Sequence, residues 1–426
     1  MSDNSVIDFA HQQLTREDAL SALAREGARR ILHAAIEVEI SDFLSSLSGE
    51  RLADGRACVV RNGYQPERSV STGVGSVSVR MPKTRDRSGQ GRLFRSSLIR
   101  PYMRKSKKLE ELIPVLYLLG VSTNDMSQAL ESLIGKQATA GVSSSTVSRM
   151  KEQWEAEHEA WCMRDLSEKD YLYIWADAIY FPLRIAADAR LAVLVMMGVN
   201  AHGDKELLAV GTGYAESEQA WAQLMRQVME QGLPQHPRLL IADGCPGLWK
   251  ATSQCWPTTK HQRCWVHKMA NIVTHLPKSQ HSNGTKAIKN IFMAETKEEA
   301  LKAWSHFEKD YDAAYPKAVA NLRKNKQELL TFYDFPKQHW LHIRTSNAIE
   351  SAFASVRLRT DSMKNCASEK AVTALVFKLL QNAQKRWNRI RHCKELDNVI
   401  DGVNFVDGIP QPVVTNTATE KCAIQA

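Results

Sequence analysis

Tyr171-Leu172-Tyr173-Ile174-Trp175-Ala176-Asp177-Ala178-Ile179-Tyr180-Phe181-Pro182-Leu183 is apolar or aromatic at every position except Asp177. Its length and aromatic content favour a buried strand over a helix. An ionised carboxylate inside such a strand is expensive unless it is paired or bound to a metal. Asp177 therefore either bonds to backbone or a basic side chain, or it faces a cation. Working outward, Leu191–Val199 and Glu206–Tyr214 predict two further strands, with Gly203-Asp204 as the turn between them. Ser217–Gln231 predicts a helix, and Arg238–Ala242 a strand that runs into Asp243-Gly244. Three strands, a helix and a fourth strand make an α/β domain, an order that many such domains share.

Asp243 reads either as a plain Asp-Gly turn or as a second acid at the end of a neighbouring strand. A third acid, Glu350, lies in Arg344-Thr345-Ser346-Asn347-Ala348-Ile349-Glu350-Ser351. Asn347 with Glu350 three residues on fits a helix capping box. The same Glu, in the first turn, can equally point toward the sheet end. Two strand acids and a helix acid would suit hard cations such as a pair of Mg²⁺ ions.

The N-terminal part differs in character. Residues 15–47 predict one helix, with Leu20, Leu23, Ile31, Ile36, Ile40, Phe43 and Leu44 mostly three to five apart. Arg61-Asn62-Gly63-Tyr64 reads as a turn, and the alternation from Val70 to Met81 as a hairpin around Gly73 and Gly75. Lys83 to Lys108 holds ten Lys or Arg residues, among them Lys83, Arg85, Arg87, Arg92, Arg104 and Lys105, with Asp86 the only acid. Such a run is either a solvated linker or an arm that tracks phosphates. Helices at Leu109–Leu119, around Met126–Ile134 and from Ser143 follow, the last carrying Ser145, Thr146 and Arg149. The pair fits a helix-turn-helix unit or an ordinary capped helix pair. Past Glu350, residues 357–391 carry nine basic residues, including Arg357 and Arg359, against two acids.

A formal net charge of +9 and a pI near 9.1 favour polyanionic partners, nucleic acid before an acidic membrane. No run of eighteen apolar residues exists, so no membrane span is expected. The first residues lack a basic region followed by an apolar core, so no secretory signal is expected. Eight scattered cysteines form no Cys-x2-Cys pair, which suggests free thiols in a reducing cytoplasm. Cys264-x2-His267 has His261, Cys255 and His275 nearby but matches no standard zinc spacing.

Taken together, Asp177 in Trp175-Ala-Asp-Ala-Ile-Tyr180, Asp243-Gly244-x2-Gly247, Cys264-Trp265-Val266-His267 and Arg344-Thr-Ser-Asn-Ala-Ile-Glu350-Ser resemble the mutator-type transposases of bacterial insertion sequences. The motifs fall in that family's order, and the resemblance covers roughly residues 20 to 392. It implies an α/β fold: a ribonuclease-H-like catalytic core with a helical insertion, preceded by helical DNA-binding regions. It implies Asp177, Asp243 and Glu350 as the catalytic and metal-binding triad, with two Mg²⁺ ions that Mn²⁺ can replace. Cys264, His267, Arg344 and Asn347 would support the site. Arg61 and the basic residues named above, with Ser145, Thr146 and Arg149, would contact double-stranded DNA at the element's ends and at the target. A homodimer or larger assembly on DNA, without a membrane, is the matching expectation. Two departures stand out: Ala348 replaces the family's Pro, and Ala352-Phe353 its usual Leu-Asn. Ala is a good helix former, so the turn should survive.

The expected division is residues 1–57, an N-terminal helical region; 58–108, a basic strand and arm; and 109–166, helix-turn-helix-like. The core follows at 167–257, its helical insertion at 258–340 and its Glu350 part at 341–392, with a disordered tail at 393–426. Rival readings are a ribonuclease-H-like nuclease or resolvase that hydrolyses without joining, and a catalytically silent DNA-binding regulator. The acids do not separate the first, because hydrolysis and strand transfer use one kind of metal site.

Overall fold

The computed structural model describes residues 19–122, 125–134, 144–182, 190–213, 215–360 and 368–412. The chain forms two compact units that divide between Met150 and Lys151.

In the first unit, α1 (Ala19–Ser46) is the long helix its spacing predicts. Ile36 of α1 packs in one small core with Val70, Val77, Val79, Met81 and Ile99. Leu20, Leu23, Ile31 and Val38 stay exposed along the helix. Strand β1 (Val59–Tyr64) contains the predicted turn: Gly63, at φ 70°, sits in a register shift between Arg61 and Tyr64. A glycine at positive φ absorbs the extra residue of a bulge, so the turn chemistry bends a strand instead of ending it. The expected hairpin forms from β2 (Arg68–Thr72) and β3 (Gly75–Val79), and β4 (Pro82–Asp86) pairs antiparallel with β1. Helices α2 (Lys107–Leu118) and α3 (Met126–Ile134) follow, and α4 (Ser144–Trp161) runs into the second unit. The turn expected between α3 and α4, and the Ser145 side chain, lie outside the described residues.

The second unit is built on a sheet of β5 (Tyr171–Pro182), β6 (Arg190–Asn200), β7 (Lys205–Gly213), β8 (Leu239–Ala242) and β9 (Lys260–Arg263). The spatial order is β7-β6-β5-β8-β9. β6 is antiparallel to β5 and β7, whereas β8 is parallel to both β5 and β9. Helices α5 (Glu218–Glu230) and α6 (Pro246–Cys255) bury Trp221, Leu224, Met225, Leu248 and Ala251 against one face, where Ile174, Ala176, Leu240 and Ala242 meet them. Ser217 caps α5 by accepting from Ala220 N.

After β9 come α7 (Trp265–Val273), α8 (His281–Met293), α9 (Lys297–Tyr311), α10 (Pro316–Arg323), α11 (Lys326–Leu330) and α12 (Trp340–Ile343). The span expected as a mostly helical insertion, 258–340, opens with the last strand of the sheet and is helical for most of the rest. Helices α13 (Asn347–Thr360), α14 (Glu369–Gln384) and α15 (Leu396–Ile400) return to the sheet, and a hairpin of β10 (Phe405–Val406) and β11 (Ile409–Pro410) ends the described chain. Residues 393–412, expected to be disordered, are therefore structured, because Leu396, Val399 and Phe405 are buried. Residues 413–426 lie outside the described residues.

Candidate active site

Alternation along β5 decides where Asp177 points. Ile174 and Ala176 enter the core under α5 and α6, which sends Tyr173, Trp175 and Asp177 to the opposite face. Trp175 pairs with Ile241 of β8, whose Leu240 and Ala242 also face the helices. Ile241 and the Asp243 that follows it therefore share the face of Asp177.

The segment carrying Glu350 is fastened to both strands. Trp175 Nε1 donates to Thr345 O at 3.1 Å. Cys264 N donates to Ala242 O at 2.7 Å, and Ser346 N donates to the Cys264 sulfur at 3.2 Å. Trp265 N donates to Arg344 O at 3.1 Å, while Arg344 Nη1 donates to Phe292 O at 2.9 Å and ties in α8. The residue before α13 is Ser346, not the Asn347 that the spacing suggested as cap. Ser346 O accepts from Ile349 N and Glu350 N at 3.0 and 3.1 Å, and its hydroxyl bonds the Glu350 carboxylate. Ser346 is buried and so placed inward, whereas Asn347 is exposed.

His267, in the first turn of α7, stands beside these groups. Its Nδ1 lies 3.7 Å from Glu350 Oε1 and 3.3 Å from Ser346 Oγ. Its hydrogen bond with Cys264 raises the imidazole to about 9 against the effect of burial, helped by the charges of Cys264, Glu350 and Asp177. Burial opposes ionisation of the Cys264 thiol, but hydrogen bonds with His267 and Ser346 outweigh it and hold the thiol below its usual range. The Asp177 carboxyl is pushed up to about 7. Burial is the main cause, opposed by the Ala178 N–H at 2.8 Å and by His267, and reinforced by Asp243 and Glu216. Asp177 thus senses Asp243, Glu216 and His267, and His267 in turn senses Glu350.

Glu216 and Ser346 were not legible as site residues. Glu216 sits between β7 and the α5 cap; its carboxylate accepts from Tyr180 Oη at 2.8 Å, and burial first, then Asp243, raises it against that bond. In sequence, Glu216-Ser217-Glu218 is simply a helix entry. Arg263, also unmarked, donates from Nε to Asp243 O at 3.2 Å. Its guanidinium fills the space beside Gly244, at φ 101°, where a Cβ would meet Arg263 Nε at 2.5 Å. A Cβ on Gly247 would meet Glu216 O at 2.7 Å. The two glycines of the Asp243-Gly244-x2-Gly247 motif thus let three elements close around the acids.

The basic residues divide. Lys83 and Arg85 are exposed on alternate positions of β4, Arg87 follows in the same alternation, and Arg104, Arg149 and Arg357 are exposed too. Arg61 instead holds Glu37 of α1 at 2.7 and 2.8 Å, and Arg92 pairs with Glu50. Lys105 is buried and donates to Thr146 Oγ1 at 3.2 Å, so that pair serves the first unit internally. Arg359 is buried in α13. Of the earlier zinc partners for Cys264, His261 stacks on Trp249 and Cys255 points to Ala222 O. No helix among the described residues is long and apolar enough to cross a membrane.

Fold and site define a mixed α/β protein in which Asp177, midway along β5, and Asp243, just past the end of β8, share one face of the sheet. The sequence profile of the mutator family of transposases matches residues 1–390, and the chain belongs to that family. It is 45% identical over 282 residues to the transposase for insertion sequence element IS6120 of Mycolicibacterium smegmatis, covering 66% of this chain and 86% of that one. It is 44% identical over 285 residues to the transposase for insertion sequence element IST2 of Acidithiobacillus ferrooxidans, covering 67% and 96%. The transposase for IS256 in transposon Tn4001 of Staphylococcus aureus is 28% identical over 364 residues, covering 84% and 89%.

Proposed function

We propose that this transposase cuts and joins DNA strands at the terminal inverted repeats of an insertion sequence, with Asp177, Asp243 and Glu350 as its catalytic triad. The observation that carries the reading is the shared face of Asp177 and Asp243 on parallel neighbours β5 and β8, with the Glu350 turn fastened to both strands. The sheet order β7-β6-β5-β8-β9, with β6 antiparallel to its neighbours, supports reading it as a ribonuclease-H-like core with the α7–α12 region as its insertion.

The donor set suits hard divalent cations. Burial and two neighbouring acids disfavour the charge on Asp177, and oxygen ligands with like charge are what Mg²⁺ or Mn²⁺ compensates. A bound Mg²⁺ pair would supply the Lewis acidity that activates the attacking oxygen and stabilises the leaving one. The chain's own task is placement. Cys264 and Ser346 fix the start of α13, Arg263 braces the Asp243 turn, and Trp175 locks β5 to Thr345. The attacking group is first water and then the freed DNA 3′-hydroxyl, so no side chain becomes covalently linked to DNA. Double-stranded DNA is the partner, the working form is at least a dimer because two ends must be coupled, and the protein acts where the DNA lies, in the cytoplasm.

Purified protein with labelled terminal-repeat DNA and Mg²⁺ should give nicked and joined products on denaturing gels. Glu350→Gln should abolish both. Full activity of that variant, or protein covalently attached to a DNA end, would overturn the scheme.

A further inference from the structure

We propose that Cys264, His267 and Glu350 form a second and softer metal site, which takes a zinc-class cation and inhibits the enzyme by withdrawing Glu350 from the acid cluster. The inhibitory part rests on the catalytic reading of Glu350; the site itself does not.

One ligand atom from each residue lies within 4.8 Å of the others, and His267 Nδ1 is 3.7 Å from Glu350 Oε1. Bonds of about 2.3 Å to sulfur and about 2.0 Å to nitrogen and oxygen put tetrahedral ligands roughly 3.3–3.6 Å apart. The three donors therefore need to close by an ångström or so. They come from rigid places: Cys264 precedes α7, His267 is in its first turn, and Glu350 is in the first turn of α13. The sulfur is already held by Ser346 N at 3.2 Å. The Ser346 hydroxyl, now between His267 Nδ1 and the Glu350 carboxylate, is the group that would turn aside. Three protein ligands leave a fourth position for water.

Thiolate, imidazole and carboxylate form a donor set that Mg²⁺ serves poorly and Zn²⁺ well, since thiolates select softer cations and affinities at N/O/S sites rise toward the end of the first transition row. A little Zn²⁺ therefore competes with abundant Mg²⁺ for one shared carboxylate. The two sites exclude each other: Glu350 turned to His267 and Cys264 is not available to the cation between Asp177 and Asp243. Free zinc then sets how often the enzyme is competent, a control that needs no additional domain.

The test uses Co²⁺ as a spectroscopic stand-in for Zn²⁺ on the full chain without DNA. Wild type should take up one Co²⁺ with a thiolate-to-metal absorption band. Cys264→Ser should lose the band, and His267→Gln should weaken binding by at least about tenfold, with circular dichroism confirming that each variant is folded. His267→Gln keeps the thiolate and so reads the site even if Cys264→Ser does not fold. A wild type without the band, or a band unchanged in folded Cys264→Ser, overturns the proposal. In the cleavage assay, Zn²⁺ should stop Mg²⁺-supported product formation and a zinc chelator should restore it; cleavage that persists at saturating Zn²⁺ overturns the inhibitory role. A protein that never cleaves in Mg²⁺ refutes the triad reading instead, and the cobalt spectrum still decides the metal site.

Discussion

Asp177 is the most costly residue of the site, and its cost is measurable. Its carboxyl moves from 3.8 to about 7, first because it is buried. The folded chain thus keeps a proton that the unfolded chain has already lost between these values. A group with a raised folded value contributes stability that is full below the unfolded value and drains as pH rises through the folded one. Above pH 7 the metal-free protein carries a penalty of a few kcal/mol, at about 1.4 kcal/mol per unit. Asp177→Asn carries no such charge. Without divalent ions it should melt at a higher temperature than wild type at pH 8, with the gap closing toward pH 4. Mg²⁺ should raise the wild-type melting temperature at pH 8 and do far less for the variant. Parallel melting curves of the two proteins from pH 4 to 8 would contradict the burial argument. The same burial is what made this residue legible: a lone acid among twelve apolar or aromatic neighbours marks itself. Glu216 and Ser346 carry no such mark, because their importance arises from β7, α5, α7 and α13 arriving at one place.

Elements were readable where their signal is local. β5, β6, β7 and α5 follow from apolar runs and a Ser217 cap, and each formed within a residue or two of expectation. β9 was not readable: Lys260-His261-Gln262-Arg263 has no apolar residue. It is a strand because β8 offers a free edge and because Gln262, fully buried, satisfies both ends of its amide through Leu329 O at 3.2 Å and Phe332 N at 2.8 Å. The C-terminal segment escaped because its three buried anchors, Leu396 and Val399 of α15 and Phe405 of β10, are too few to set a period. The junction of α5 and α6 was half legible: Gly247 was noticed, but its purpose needs the structure. A Cβ there would press on Glu216 O, Glu218 N and Ser217 C at 2.7–2.9 Å, all of them backbone atoms that cannot rotate away. Gly247→Ala should therefore cost roughly 1–3 kcal/mol and shift Glu216 relative to Asp243. Cleavage should fall further than in Ile288→Val, a comparably mild change at a buried position of α8. A variant with wild-type melting and cleavage would show that the close approach is unimportant.

For the molecule as a whole, the open question is which basic residues meet DNA, and counting charge does not answer it. Arg61, Arg92 and Lys105 are engaged by Glu37, Glu50 and Thr146, so each has work inside the first unit. Lys83, Arg85 and Arg87 differ: they alternate along β4 and its end, which places three exposed cations on one side of an extended segment. A row of this kind can follow successive phosphates. Each phosphate neutralised releases counterions and adds about 0.9 to the slope of log affinity against log salt. Replacing all three by Ala should thus lower affinity for terminal-repeat DNA and flatten that slope by roughly 2 to 3. Arg61→Ala should behave otherwise, lowering the melting temperature by loosening β1 from α1 while leaving the slope almost unchanged. The comparison separates a phosphate contact from a structural ion pair, which a single affinity measurement cannot do. Residues 151–412 alone should keep the acid cluster but lose preference for the repeat over random DNA. An unchanged salt slope in the triple variant, or full repeat preference in the 151–412 fragment, would move the DNA-reading surface away from the first unit and into the one that holds the acids.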